Sequence, residues 1–185
     1  MTMQHLTPKD YITTKWSGGL TTQLGIAPEG AVYAERDFLW RLSSATVEDA
    51  ESDFTALPDY ERLISTLEGT IELNHNGGEK LTLNPYEVHR FDGGDSTHSW
   101  GCCRDFNLML RKGKCEGSIQ AVLLSGDETL PARGADTMLL YCGEGSGVLG
   151  GIALKAEEAV FVQDVKDDIL TLTGSGKFIL ARLKG

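Results

Sequence analysis

The sequence predicts an all-β protein built as two small β-barrel halves, and three observations carry that reading. Its 22 glycines fall mostly between short apolar runs. Helical periodicity is nearly absent, with only Val47 to Asp53 suited to a turn or two of helix. Short alternating segments follow one another at close spacing, as in a sandwich or barrel.

Taken in order, Thr22 to Ala27 reads as the first strand and Phe38 to Thr46, aromatic and alternating, as the next. Glu61 to Leu73 reads as one strand entering Asn76-Gly77-Gly78, a hairpin turn that needs positive φ. Glu79 to Leu83 returns, and Glu87 to Phe91, Ser96 to Cys102 and Asp105 to Arg111 complete the first set. The second set is Ile119 to Leu124, Thr137 to Cys142, Gly147 to Leu154, Ala159 to Val162, Ile169 to Thr173 and Lys177 to Leu183. Gly143-Glu144-Gly145-Ser146-Gly147 lacks the lysine and helix of a phosphate loop and is assigned as a turn between strands. The boundary falls near Gly113 to Gly117, giving a first barrel with its N-terminal strands over 1–115 and a second over 116–185. An internal repeat agrees with two related halves: Leu83 and Glu87, then Leu154 and Glu158, share an L-x-x-x-E spacing after a hairpin.

Composition narrows the function. A net charge of −10, with 17 scattered basic residues, does not suit nucleic acid or an anionic membrane surface. The longest apolar runs are far too short to span a bilayer as a helix, and Met1 to Asp10 has no apolar signal core, so a cytoplasmic location is expected. Cys102, Cys103, Cys115 and Cys142 have no paired CxxC spacing, so they are expected to be reduced and packed.

Candidate chemistry is sparse. The four histidines, His5, His75, His89 and His98, include no H-x-H, and the second half has none. A mononuclear metal needs three or four converging ligands, so no metal and no cofactor are expected. No G-x-S-x-G elbow is present. Glu157-Glu158 and Asp167-Asp168 read as solvated charge in turns.

Two strands carry a different pattern. Arg41 and Ser43 share one face by period two, with Trp40 and Leu42 opposite. Asp105 and Asn107 likewise share a face, with Phe106 and Leu108 opposite. The polar pairs either meet water or line a cavity, and alternation does not choose between these.

Phe38-Leu39-Trp40-Arg41-Leu42-Ser43, Phe54-Thr55-Ala56-Leu57-Pro58 with Arg62, Leu67-Glu68-Gly69, Phe91-Asp92-Gly93-Gly94 and Asp105-Phe106-Asn107-Leu108-Met109 together resemble the HutD/Ves family of the cupin superfamily. Trp16-Ser17-Gly18-Gly19-Leu20-Thr21-Thr22 resembles that family's opening Trp, Gly-rich, Thr segment, in a shortened form. Asp59 stands where a glycine commonly follows the proline, which bears on loop shape. The resemblance spans roughly residues 16 to 112 by motif and implies a bicupin, two jelly-roll-like barrels packed together. It also implies a ligand-binding regulatory or accessory role linked to histidine utilisation, with formylated glutamate-type ligands, and it favours the cavity arrangement.

The leading expectation is therefore a metal-free bicupin holding a small acidic metabolite in its first barrel. Arg41 and Arg62 would meet a carboxylate; Ser43, Asp105 and Asn107 would orient it; Trp16, Thr21 and Thr22 would close the mouth; His89 is a further candidate. One alternative is an isomerase, lyase or hydrolase in the same pocket, with Asp105 or His89 as acid or base. Another is a structural module in which an Arg41–Asp105 contact is a clasp inside a filled barrel. Flat sheet faces would suit a homodimer, although no residue pattern specifies one.

Overall fold

Sixteen β-strands and no α-helix follow from the period-two pattern; the one helical element is a 3₁₀ turn at Tyr33–Glu35. The structure, a computed structural model, describes residues 1–185. In chain order the strands are β1 (Thr2–Leu6), β2 (Ile12–Trp16), β3 (Gly19–Ala27), β4 (Trp40–Val47), β5 (Glu51–Asp53), β6 (Tyr60–Glu68), β7 (Ile71–His75) and β8 (Leu81–Leu83). They continue as β9 (His89–Asp92), β10 (Thr97–Trp100), β11 (Cys103–Arg111), β12 (Glu116–Pro131), β13 (Thr137–Leu149), β14 (Ile152–Lys155), β15 (Ala159–Gln163) and β16 (Ile169–Lys184). Val47 to Asp53, the one stretch suited to helix, instead ends β4 and forms β5. No helix is long and apolar enough to cross a membrane.

The chain divides into two units, Tyr11–Cys115 and Glu116–Gly185 joined by Met1–Asp10. The first ten residues, grouped with the first half by the sequence reading, thus belong with the second. The reason is backbone pairing: β1 runs antiparallel to β15, from Thr2 opposite Gln163 to Leu6 opposite Ala159.

In the Tyr11–Cys115 unit a six-stranded sheet runs β2-β3-β4-β11-β6-β9 and a four-stranded sheet runs β5-β10-β7-β8. Their end strands do not pair, so these are open jelly-roll-like layers rather than a closed barrel. Register sets up the site. Met109 of β11 lies between Arg41 of β4 and Arg62 of β6, Asn107 lies opposite Ser43, and Asp105 lies opposite Ala45. These residues share one face by the pleat. On the reverse face Trp40, Leu42, Phe106 and Leu108 are buried, each worth about 1.5–3 kcal/mol when fully removed from water. Phe38 and Tyr60 stack with ring centroids 4.4 Å apart, and the Tyr60 hydroxyl donates to the Phe38 carbonyl at 2.8 Å.

Two strand expectations are corrected. Glu61 to Leu73 is not one strand: the chain leaves one sheet at Glu68 and enters the other at Ile71. Gly69 makes the break, with φ 82° and the Cys102 carbonyl packed where a side chain would stand. Gly143 to Gly147 is not a turn but the middle of β13, which shifts register between Cys142 and Glu144. Gly145 pairs with Gly176 there, and a Cβ on either would collide with the facing backbone.

In the other unit one sheet runs β1-β15-β13-β16-β12, with β14 pairing β13. β12 and β16 pair continuously from Glu116 opposite Lys184 to Pro131 opposite Ile169. Met138, Leu140, Leu172, Phe178 and Leu180 are among its core residues.

The internal repeat has a physical basis. In the first copy the Glu87 carboxylate accepts the Asn84 N–H at 2.9 Å, and in the second the Glu158 carboxylate accepts the Lys155 N–H at 3.2 Å. The residue before each glutamate is left-handed: Tyr86 at φ 66° and Glu157 at φ 73°. Glu158 is therefore not solvated, as the sequence suggested, but buried, and it also bonds His5 Nε2 at 3.1 Å. The four cysteines are free; Cys142 is buried, whereas Cys102 is exposed rather than packed. Burial pushes the Cys103 and Cys142 thiols up to about 12 and about 11.

Candidate anion-binding cavity

A cavity of about 600 Å³ opens on the polar face of the six-stranded sheet. The first unit is thus not a filled barrel. Strands β4, β6 and β11 supply Arg41, Ser43, Arg62, Asp105 and Asn107 to its wall, and β2 and β3 supply Trp16, Thr21 and Gln23. Tyr33, from the 3₁₀ turn, and Phe54 and Thr55, from the loop after β5, complete the rim.

Both arginines are buried, at 7% exposure for Arg41 and 6% for Arg62. Arg41 Nε donates to Gln23 Oε1 at 2.8 Å, and its guanidinium lies 4.0 Å from the centre of the Tyr33 ring. Arg36 stacks on the same ring at 4.0 Å. Arg62 Nη1 donates to the Thr55 carbonyl at 3.3 Å, with the Phe54 and Phe91 rings 5.2 and 5.4 Å from its guanidinium. Arg62 Nε is buried without an acceptor. Neither arginine joins any of the chain's ion pairs. Burial holds both guanidinium groups below their ordinary pKa.

The Arg41–Asp105 clasp is not formed. Asp105 Oδ1 instead accepts the Ala45 N–H at 3.1 Å. Burial pushes the Asp105 carboxyl up to about 7, against the opposing attraction of Arg62 and that hydrogen bond. Asn107 Oδ1 and Trp16 Nε1 are also buried without partners. Buried polar atoms usually have partners, so three unpaired ones around a single cavity form a concentration of unused hydrogen-bonding capacity.

Two sequence candidates lie outside the cavity wall. Thr22 points away, its hydroxyl 3.3 Å from that of Thr13, because adjacent residues on β3 face opposite sides. His89 is engaged elsewhere: its Nε2 lies 2.8 Å from His75 Nε2, and its ring stacks with those of His75 and Phe91. Burial and His75 both lower its pKa. Gln23 and Tyr33 were missed. Period two from Thr21 points to Gln23, whereas no periodicity marks Tyr33 in its isolated turn. No group of three or more His, Cys, Asp or Glu side chains converges to hold a metal ion.

The family model described as HutD matches residues 8–180. Among solved structures, a conserved protein of unknown function from Pseudomonas aeruginosa PAO1, PA5104, superposes with TM-score 0.84 at 24% identity, covering all of both chains. HutD from Pseudomonas fluorescens SBW25, solved in a formate condition, gives 0.82 at 23% identity over 99% of this chain and 98% of that one. The bacterial pirin YhhW from Escherichia coli, in complex with nickel(II), gives 0.70 at 9% identity over 98% of each chain. At these identities the structures establish the shared cupin-like fold.

Proposed function

Because this chain belongs to the HutD family, we propose that its first unit binds a small carboxylate-bearing metabolite, without a metal, as a regulatory or accessory protein of histidine utilisation. The observation that carries this reading is the pair of buried arginines on the cavity wall without a carboxylate partner. A buried charge is costly unless paired, and a ligand carboxylate would supply the missing partner. A guanidinium grips a carboxylate through two parallel N–H donors, which the free Arg62 Nε leaves available. Asn107 Oδ1 would accept an N–H from the ligand, which suits an N-formylated amino acid better than a simple carboxylic acid. The aromatic rim of Tyr33 and Phe54 would enclose its apolar stem.

Calorimetric titration with N-formylglutamate, glutamate and formate tests this. Saturable binding is expected, strongest for the formylated compound and lost in an Arg41→Gln/Arg62→Gln double variant. Absence of binding by all three, or binding that survives the double variant, would overturn the assignment.

One observation favours a second reading, an enzyme. Asp105 is raised to about 7 at the cavity wall, which suits a general acid or base near neutral pH. Recovery of chemically altered ligand after prolonged incubation, abolished by Asp105→Asn, would select it over simple binding.

A further inference from the structure

The second unit holds a buried arginine of its own. Along β16, Phe178, Leu180 and Arg182 share a face, so Arg182 continues the face that builds the apolar core and ends it with a charge. It is 7% exposed. Its Nε donates to the Pro131 carbonyl at 2.8 Å and its Nη1 to Gln120 Oε1 at 2.9 Å, both neutral acceptors. A guanidinium carries five N–H donors, so most of its capacity is unused. No carboxylate forms an ion pair with it.

Arg182 borders a hollow of about 240 Å³ that Arg133, Lys184, Ser118 and Glu116 also line. Three cations and one carboxylate surround this space in a chain of net charge −10. Water occupies about 30 Å³ per molecule in the liquid, so the hollow has room for a small oxyanion with part of its hydration shell. Ser118 stands directly opposite Arg182 in register, so both side chains leave the same face of the sheet and both border the hollow. Arg133 sits at φ 55° in the turn after β12, a conformation uncommon for a long side chain. Burial and the neighbouring Arg133 both lower the Arg182 pKa, the direction that an uncompensated cation takes.

We infer that this hollow is a second anion site, separate from the first unit's cavity, which takes a phosphate-type oxyanion on Arg182, Arg133 and Lys184. Arg182 supplies the fixed, desolvated donor, and the two outer cations supply attraction. Spare N–H groups on a planar fork match the oxygens of a phosphate.

The test is a titration of the full chain with inorganic phosphate, followed by amide NMR signals at constant ionic strength against chloride. Saturable signal changes are expected at Ser118, Arg133, Gly134 and Arg182. An Arg133→Asn/Lys184→Gln double variant should bind more weakly, by about tenfold or more, from the loss of two charges. Asparagine tolerates the left-handed position, and Lys184 is exposed, so folding is spared. Glycerol phosphate is the second arm: displacement of phosphate assigns the site to phosphate monoesters, and failure to displace assigns it to the free ion. The inference is overturned if no signal change saturates, if chloride reproduces the changes, or if they map to the cavity around Arg41 and Arg62. Undiminished affinity in the double variant would overturn it as well.

Discussion

Replacing Asp105 by asparagine isolates the cost of a carboxyl buried in the cavity wall. The folded protein holds this group at about 7 against an unfolded value of 3.8. Between those values the native state keeps a proton that the unfolded chain has lost, so stability falls as pH rises through this window and levels off above it. A tenfold difference in proton affinity is worth about 1.36 kcal/mol, which sets an upper bound of about 4 kcal/mol for the whole interval. The asparagine amide oxygen still accepts the Ala45 N–H but never ionises. Urea unfolding from pH 4 to pH 8 should therefore show the two proteins closest in stability at pH 4. Asp105→Asn should gain progressively to an advantage of up to about 4 kcal/mol at pH 8. A difference that stays flat across the series, or one in which wild type gains as pH rises, would show that Arg62 keeps Asp105 ionised and would refute the burial argument. A carboxylate ligand bound beside Arg62 would raise Asp105 further, so its affinity should decline above pH 7.

Other substitutions probe the same cavity. Arg62→Lys should keep the fold while weakening carboxylate binding about tenfold or more, since lysine lacks the two-point grip; calorimetry and thermal melts on one preparation separate the two effects. Asp105→Ala should lose about 1–3 kcal/mol at pH 4, where the native carboxyl is neutral, because the Ala45 N–H then lacks its acceptor; urea unfolding at that pH reads it. Tyr33→Ala removes the ring shared by Arg36 and Arg41, costing about 1 kcal/mol of stability together with some ligand affinity. Purified protein should carry no stoichiometric transition metal by elemental analysis, because no three ligands converge; about one metal per chain would contradict the ligand count.

Much of the first unit's cavity was legible in the sequence because period two is a local rule. Arg41 with Ser43, and Asp105 with Asn107, reach one surface from their own strands, and antiparallel register sets them side by side. Thr22 failed by the same rule that should have replaced it with Gln23, two residues beyond Thr21. Non-local facts were not legible. The glycine at 69 follows the end of a strand, whereas those at 145 and 176 lie within strands; all three have backbone packed where a side chain would stand, and only long-range strand pairing distinguishes the cases. His75, in the hairpin beside Asn76, and His89, in a later strand, read as unrelated until the fold brings their rings together. The Arg41–Asp105 clasp was a reasonable pairing of opposite charges, but Gln23 and the Ala45 amide are the nearer partners.

The pairing of β1 with β15 bears on how the chain is made. β1 leaves the ribosome more than a hundred residues before its partner, which at about 5–20 residues per second is a delay on the order of ten seconds. During that interval Thr2–Leu6 has no strand to join. Its composition suits the wait, since only Leu6 is buried in the finished protein. The liability passes to β15, which without β1 would present an unpaired edge beside Ala159, Val160 and Val162, all buried in the finished fold. Nascent chains that reach β15 while β1 is held elsewhere, by a chaperone or an N-terminal fusion, would offer that edge to one another.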